Sequence, residues 1–286
     1  MTIAMPRLRE RAAEALGDTR VLFSSPIFVI GAVIVVGWIL IAATAPLISP
    51  YAYDAISPAE AFSAPSLVHP FGTDHLGRDV FSRMLVGSRT ALFIAPLATG
   101  FGLVFGIFFG LTAGYFGGWW NEVTMRVLES VLVFPVIILA MTVLTLFGAS
   151  SLNVIVTIGL LFTPHIARTV RSAVILERRK EYIAAAWLQG SPASYLMLAE
   201  ILPNVRGPII IEATTRIGYA IFIGAGLSFL SIGVQEPSAD WGLSISLGRP
   251  YLQIAPWISL APAFALASLV VGVNLIADGA KEAFSR

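Results

Sequence analysis

Residues 181–203 read EYIAAAWLQGSPASYLMLAEILP, and both neighbouring stretches are long and apolar. The segment is polar enough to leave a bilayer and carries its own punctuation. Residues 181–189 predict a short helix, rich in alanine and β-branched only at Ile183. Gly190 suits the residue just past a helix end, where a left-handed backbone is needed. Ser191 and Pro192 read as an N-cap followed by a favoured first helical residue. A second helix then runs to Leu202, which Pro203 biases out of the helical region. The expectation is helix, corner, helix at a membrane surface. The small side chains of Ala184, Ala185 and Ala186 would let another surface come close.

Working outward, the chain of 286 residues is 57% hydrophobic and 12% charged, with mean hydropathy +0.83. Soluble domains are about 25% charged, so this is a polytopic membrane protein of the all-α class. There is no cysteine, hence neither disulfide nor thiolate metal site, and a net charge of +1 gives no electrostatic reason for a nucleic-acid partner. Residues 1–26 form a charged N-terminal segment. Residues 27–45 carry no charge and are long enough for a first span, since about 20 apolar residues cross a bilayer. Prolines 46, 50, 58, 65 and 70 mark an external loop, and HPFGTDHLGRDVFSRMLVGSRTAL (69–92) predicts a turn and an interfacial helix. The organisation is therefore 1–26, then 27–85 with the first span and its loop, then a five-span core over 86–286 with the corner inside 177–206.

Residues 90–120 are uncharged and allow a second span. Gly102, Gly106, Gly110 and Gly114 recur there every four residues, a small-residue stripe for close helix packing. Between Glu129 and Arg168 stand 38 uncharged residues. As one helix they would reach roughly 57 Å, nearly twice the bilayer core of about 30 Å. Two spans are implied, turning at GASSLN (148–153). The fifth span covers 207–233 with Glu212 and Arg216 on its first turns, a proline-rich external loop follows over 235–255, and the sixth span covers 256–277. With the N-terminus inside, fourteen basic residues fall on the cytoplasmic side against four outside (Arg78, Arg83, Arg89 and Arg249). That matches the positive-inside rule and places both termini and the corner in the cytoplasm.

The chemistry open to this chain is narrow. A phosphate-binding loop needs Gly-Lys followed by Ser or Thr, whereas Lys180 and Lys281 follow Arg179 and Ala280. His69, His75 and His165 are too scattered for a zinc-ligand spacing. Nothing reads as an enzyme, a resident metal or a bound cofactor. The carboxylates Asp74, Asp79 and Asp240 fit local turn hydrogen bonds better than a cation site. Glu212 and Arg216, four apart, are placed to pair, and His165 suits packing or a hydrogen bond between helices.

The corner resembles the "EAA" loop of permease subunits of binding-protein-dependent ABC importers: Ala184-Ala185-Ala186, three residues, Gly190, then Leu202-Pro203. HPFGTDHLGRDVFSR (69–83), GLSFLSIGVQEPSADWG (226–242), NLIADGAKEAFSR (274–286) and the SPIF opening of the first span are similar to the C-type subunit of the dipeptide/oligopeptide (Dpp/Opp) group. The resemblance implies the type I importer permease fold with six transmembrane helices in the bacterial inner membrane. It implies a second homologous permease subunit, two ATP-binding subunits that hold ATP and Mg, and an extracytoplasmic solute-binding protein. It also implies that Glu181, Ala184, Ala185, Ala186, Trp187, Gly190, Ser191, Leu202 and Pro203 form the ATPase-coupling loop, and that Gly72, Thr73, Asp74, Gly77, Arg78 and Asp79 form a family-matching external segment. The motif's glutamate position holds Ala184 while Glu181 stands three residues earlier, so that polar contact is not carried over. Trp187 suits an anchor against the ATPase or at the membrane interface. Solutes in the group include di- and oligopeptides, glutathione and nickel complexes, and no substrate-binding residue is assigned. The competing class is a self-contained secondary carrier or channel, which calls for ionisable groups near mid-membrane.

Overall fold

The computed structural model describes residues 25–285, so residues 1–24 of the charged N-terminal segment, with Arg7, Arg9, Arg11 and Arg20, lie outside the described residues. Five of the described helices are long and apolar enough to cross a membrane, six if a pair bent by 89° counts as one span. They are α1 (Pro26–Ile48), α2 (Val80–Phe116), the bent pair α3 (Gly118–Leu132) and α4 (Val136–Phe147), α5 (Ser151–Glu177), α7 (Arg206–Phe229) and α9 (Trp257–Ser285), with a short α6 (Glu181–Leu188) and α8 (Trp241–Gly248) between them. Among the described residues the only extended pairing is a bridge of Thr73 with Asp79.

The centre of the fold is the seam between α2 and α5. A Cβ on Gly102 would sit 2.9 Å from the Gly159 carbonyl oxygen, and one on Gly106 2.6 Å from the Ile166 side chain. On Gly110 it would lie 2.6 Å from the Ala167 carbonyl oxygen, and on Gly114 2.9 Å from Val174. The stripe therefore brings the two backbones closer than any side chain allows. Ile166, Val170 and Val174 of α5 are buried against it. With little hydrophobic drive between helices in lipid, such close van der Waals packing is the main source of association. By contrast α1 is peripheral, burying only Gly31 and Ala45.

Four expectations need correction. The external turn and interfacial helix are not separate from the second span: α2 starts at Val80 and runs unbroken through residue 116, so the 85/86 boundary falls inside one helix. The third span is not one straight helix either. α4 has twelve residues, about 18 Å of rise, and reaches α3 through a break at 133–135, where Pro135 cannot continue a helical hydrogen-bond ladder. The loop 235–255 contains α8, whose Trp241, Gly242 and Leu243 are buried. It packs on α7 and α9, because Gly242 lets its backbone touch the Ala225 carbonyl. Finally, α7 ends at Phe229 rather than 233. Glu212 and Arg216 stand six and ten residues into this helix of 24, in its first half.

Candidate functional site

Two ends of the bundle concentrate functional side chains, and the corner occupies one of them. α6 ends in a paired-bond motif: the Gly190 N–H donates to the Trp187 carbonyl at 2.9 Å and the Ser191 N–H to the Ala186 carbonyl at 3.2 Å. This Schellman geometry requires a left-handed residue between them, and Gly190 has φ +81°. Ser191 does not cap the second arm. Pro192 takes the N-cap conformation, with φ −68° and ψ 153°, and the helix starts at Ala193.

Nor does Pro203 stop the arm. Residues 196–201 widen into a π-helix, Leu202 keeps helical angles, and Pro203 lies inside Leu202–Asn204. A π-turn skips one residue of the usual ladder, which accommodates a proline that has no N–H to give.

The corner is fixed on one side and open on the other. Ile183, Leu196 and Ile201 are buried beneath it. Tyr182 donates to Glu177 at 2.5 Å and accepts from Asn204 at 3.0 Å, while Lys180 pairs with Glu177 at 2.8 Å. Both arms are thus tied to the last residue of α5. Burial, reinforced by the Glu177 carboxylate, pushes the Tyr182 phenol above its ordinary value, so it stays a hydrogen-bond donor at any physiological pH. The opposite surface exposes Glu181, Ala184, Ala185, Trp187 and Gly190, with Ala186, Ser191, Leu202 and Pro203 half-buried. Trp187 is 65% exposed, Leu188 77% and Leu198 60%. Beside them a hollow of about 350 Å³ is lined by Tyr115, Phe116, Arg178, Ile183, Ala184, Trp187 and Leu196. Small side chains, large apolar ones and an adjoining hollow make a surface fit to receive another protein.

At the opposite end the segment expected outside the membrane is a buried tie. Thr73, Asp74, Arg78 and Asp79 are buried, and Gly72 and Gly77 take the positive φ values of its turns. Asp74 accepts from the N–H groups of Leu76 and Arg78 at 2.8 and 3.0 Å and from the Arg78 Nε at 2.6 Å. Arg78 reaches across to Glu236 at 2.8 Å, and Arg83 donates to the carbonyls of Tyr53 and Ser238. Burial lowers the Arg78 pKa, but Asp74 and Glu236 more than offset it, and the net shift is upward. Trp257 donates to the Thr73 carbonyl at 3.1 Å and Trp241 to that of Met84 at 2.9 Å. Asp240 caps α8 through the Leu243 N–H at 2.9 Å, with its carboxyl pushed upward by burial. All three aspartates thus serve local structure, and His75 stacks on Tyr251. Glu236, Trp241 and the Arg83 bond to Ser238 did not stand out in the sequence, because the partners lie more than 150 residues apart.

Asp79 caps α2 through the Ser82 N–H at 2.7 Å and holds the His69 ring at 2.9 Å. Asp79→Ala is expected to cost about 1–2 kcal/mol, as for other lost N-caps, read as a lower thermal midpoint of the detergent-solubilised protein. An unchanged midpoint would show that the cap does not hold this end together.

Within the membrane-spanning part, Arg216 donates to Glu212 at 2.7 Å, and both side chains are 17% exposed. His165 lies within electrostatic reach of Arg216, Arg168 and Glu212.

Known proteins resolve the class. Residues 102–286 match the model of the binding-protein-dependent transport system inner membrane component, and residues 17–65 match the N-terminal TM domain of oligopeptide transport permease C. The chain belongs to the binding-protein-dependent permease family. It has the type I ABC importer permease fold, and the self-contained carrier is set aside. The permease is 38% identical over 255 residues to the dipeptide transport system permease protein DppC of Alkalihalophilus pseudofirmus, covering 89% of this chain and 84% of that one. It is also 38% identical over 221 residues to the glutathione transport system permease protein GsiD of Escherichia coli and of Shigella sonnei, covering 77% of this chain and 73% of each relative. The permease is therefore an inner-membrane component of an importer.

Proposed function

We propose that this permease forms one half of the translocation pathway of an ATP-driven peptide importer, with a second homologous permease forming the other half. Two ATP-binding subunits dock on the corner at 181–203, and a solute-binding protein delivers substrate to the opposite end. The observation that carries the reading is the corner itself: its exposed face presents Ala184, Ala185 and Trp187, while its back is bonded through Tyr182 and Asn204 to Glu177 of α5. A push on that face is delivered to the central seam. Coupling requires the ATPase to make different contacts with the permease in its two states, and a rigidly mounted surface meets that need. The distribution of basic residues supports a cytoplasmic corner and cytoplasmic termini. The relatives' names support a peptide substrate, since a dipeptide and glutathione are both short peptides.

Purification of the tagged permease in mild detergent, with mass spectrometry of its companions, tests the assembly. Recovery of a second permease and one or two P-loop ATPases is the expected result. A homo-oligomer that moves solute without ATP would overturn it. Ala185→Arg adds bulk and charge to the exposed face and is expected to reduce ATPase co-purification about tenfold, the loss of roughly 1.4 kcal/mol. Full retention of the ATPase with normal transport would place the docking surface elsewhere.

A further inference from the structure

We propose that Arg216, clamped on Glu212, is an anchoring point for a carboxylate group of the peptide as it crosses the membrane. The inference rests on the peptide-importer reading and adds a site to it.

Position is the first observation. Arg216 lies within the spanning helix α7, and its guanidinium stands 5.5 Å from the ring centroid of Phe162 of α5. Ionisable groups in spanning helices are costly and face the protein interior or a watered cavity, so their presence marks a pathway or a pairing site. Pairing with Glu212 lowers the cost but leaves the guanidinium partly used. Its Nε donates to Glu212 Oε1 at 2.7 Å, and Glu212 Oε2 accepts from Thr169 at 3.3 Å. Among the described residues the hydrogen bond given for the Arg216 guanidinium is this one from Nε, and it leaves the two terminal amino groups available to another partner.

Those two groups form the planar fork that matches a carboxylate with two parallel hydrogen bonds. The rings of Phe162 and Tyr219, with centroids 5.5 and 5.6 Å from the guanidinium carbon, flank it. The guanidinium reaches a surface rather than the core, since the Arg216 side chain is 17% exposed and Tyr219 beside it 54%. Around it the charges favour an anion: Arg168 stands nearby, and Glu212 is the single acidic group in the cluster. Every peptide with a free C-terminus carries the complementary group. Because Glu212 competes for the same guanidinium, the hold is partial, as passage demands: a pathway site must bind well enough to admit and weakly enough to release.

The test uses the complete transporter with its binding protein in proteoliposomes. ATP-driven uptake is measured for a tripeptide with a free C-terminus and for its C-terminal amide, a pair chosen for comparable affinity to the binding protein. Wild type is compared with Arg216→Lys, Arg216→Gln and the double variant Glu212→Gln/Arg216→Gln, which leaves no lone charge in the membrane. The acid-to-amide uptake ratio is expected to fall about tenfold in both glutamine variants, the scale of one charge-assisted contact. In Arg216→Lys, which keeps the charge and loses the fork, it should fall by less. An equal loss of uptake for both peptides would overturn the proposal, making the pair purely structural. So would loss of the second permease on purification of the double variant, which would assign Arg216 to the interface between permeases. No ATP-driven uptake of any peptide by wild type would instead remove the importer reading, and this site with it.

Discussion

Gly106→Leu is expected to prevent the permease from accumulating in its native form. A Cβ at residue 106 already falls 2.6 Å from both Cβ and Cγ2 of Ile166, a β-branched side chain with no exposure and no room to retreat. Overpacking a tight core costs roughly 1–3 kcal/mol and occasionally more. Here the insertion also lifts neighbouring contacts, because Gly102 and Gly110 keep their distances only while the backbones stay close. Gly100→Leu is the matched control: it lies on the same helix, with nothing within 4 Å of the point where its Cβ would stand. The readouts are the monodisperse fraction after detergent extraction and protection from protease. Equal yields and equal protection of the two variants would mean that the α2–α5 seam is not what holds the fold.

Gly190→Val should leave the fold intact and disconnect it from ATP. Nothing lies within 4 Å of a Cβ placed at residue 190, so the effect is free of clash and comes from the backbone alone. A left-handed conformation costs an ordinary residue roughly 1–2 kcal/mol, and a β-branched one is a genuine outlier there. The two bonds from Gly190 and Ser191 to the end of α6 depend on that conformation. A shift of that size changes a population about 5- to 30-fold. Substrate uptake and binding-protein-stimulated ATP hydrolysis are expected to fall together, by about tenfold, in a complex that still assembles. Gly190→Asn, a side chain that tolerates the left-handed region, should restore most of both. If uptake and stimulated hydrolysis in the valine variant match wild type, the corner's geometry does not transmit closure.

How much of the molecule is legible in its sequence depends on how local each cause is. The glycine period at 102–114 and the corner glycine at 190 are written in residue types, because close approach and a positive φ each demand a small side chain. The break at 133–135 is hidden by composition: Val133 and Phe134 continue an apolar run, and hydropathy measures length without direction. Pro135 is the available signal. The arm through Pro203 misleads because a proline rule assumes α-helical spacing, and the π-turn at 196–201 relaxes it. The external tie is half visible. Asp74, Arg78 and Asp79 stand in a recognisable segment, but Glu236, Ser238 and Trp241 join it only through the fold.

The close seam between α2 and α5 has a mechanical consequence. Two helices whose backbones interlock at four successive turns cannot slide past one another, so they behave as a single stiff beam about 40 Å long, the rise of the 27 residues of α5. The corner is bolted to one end of that beam through Glu177. Under the proposed coupling, a displacement applied there is handed to α2 and α5 together, so the two helices are expected to move as one body.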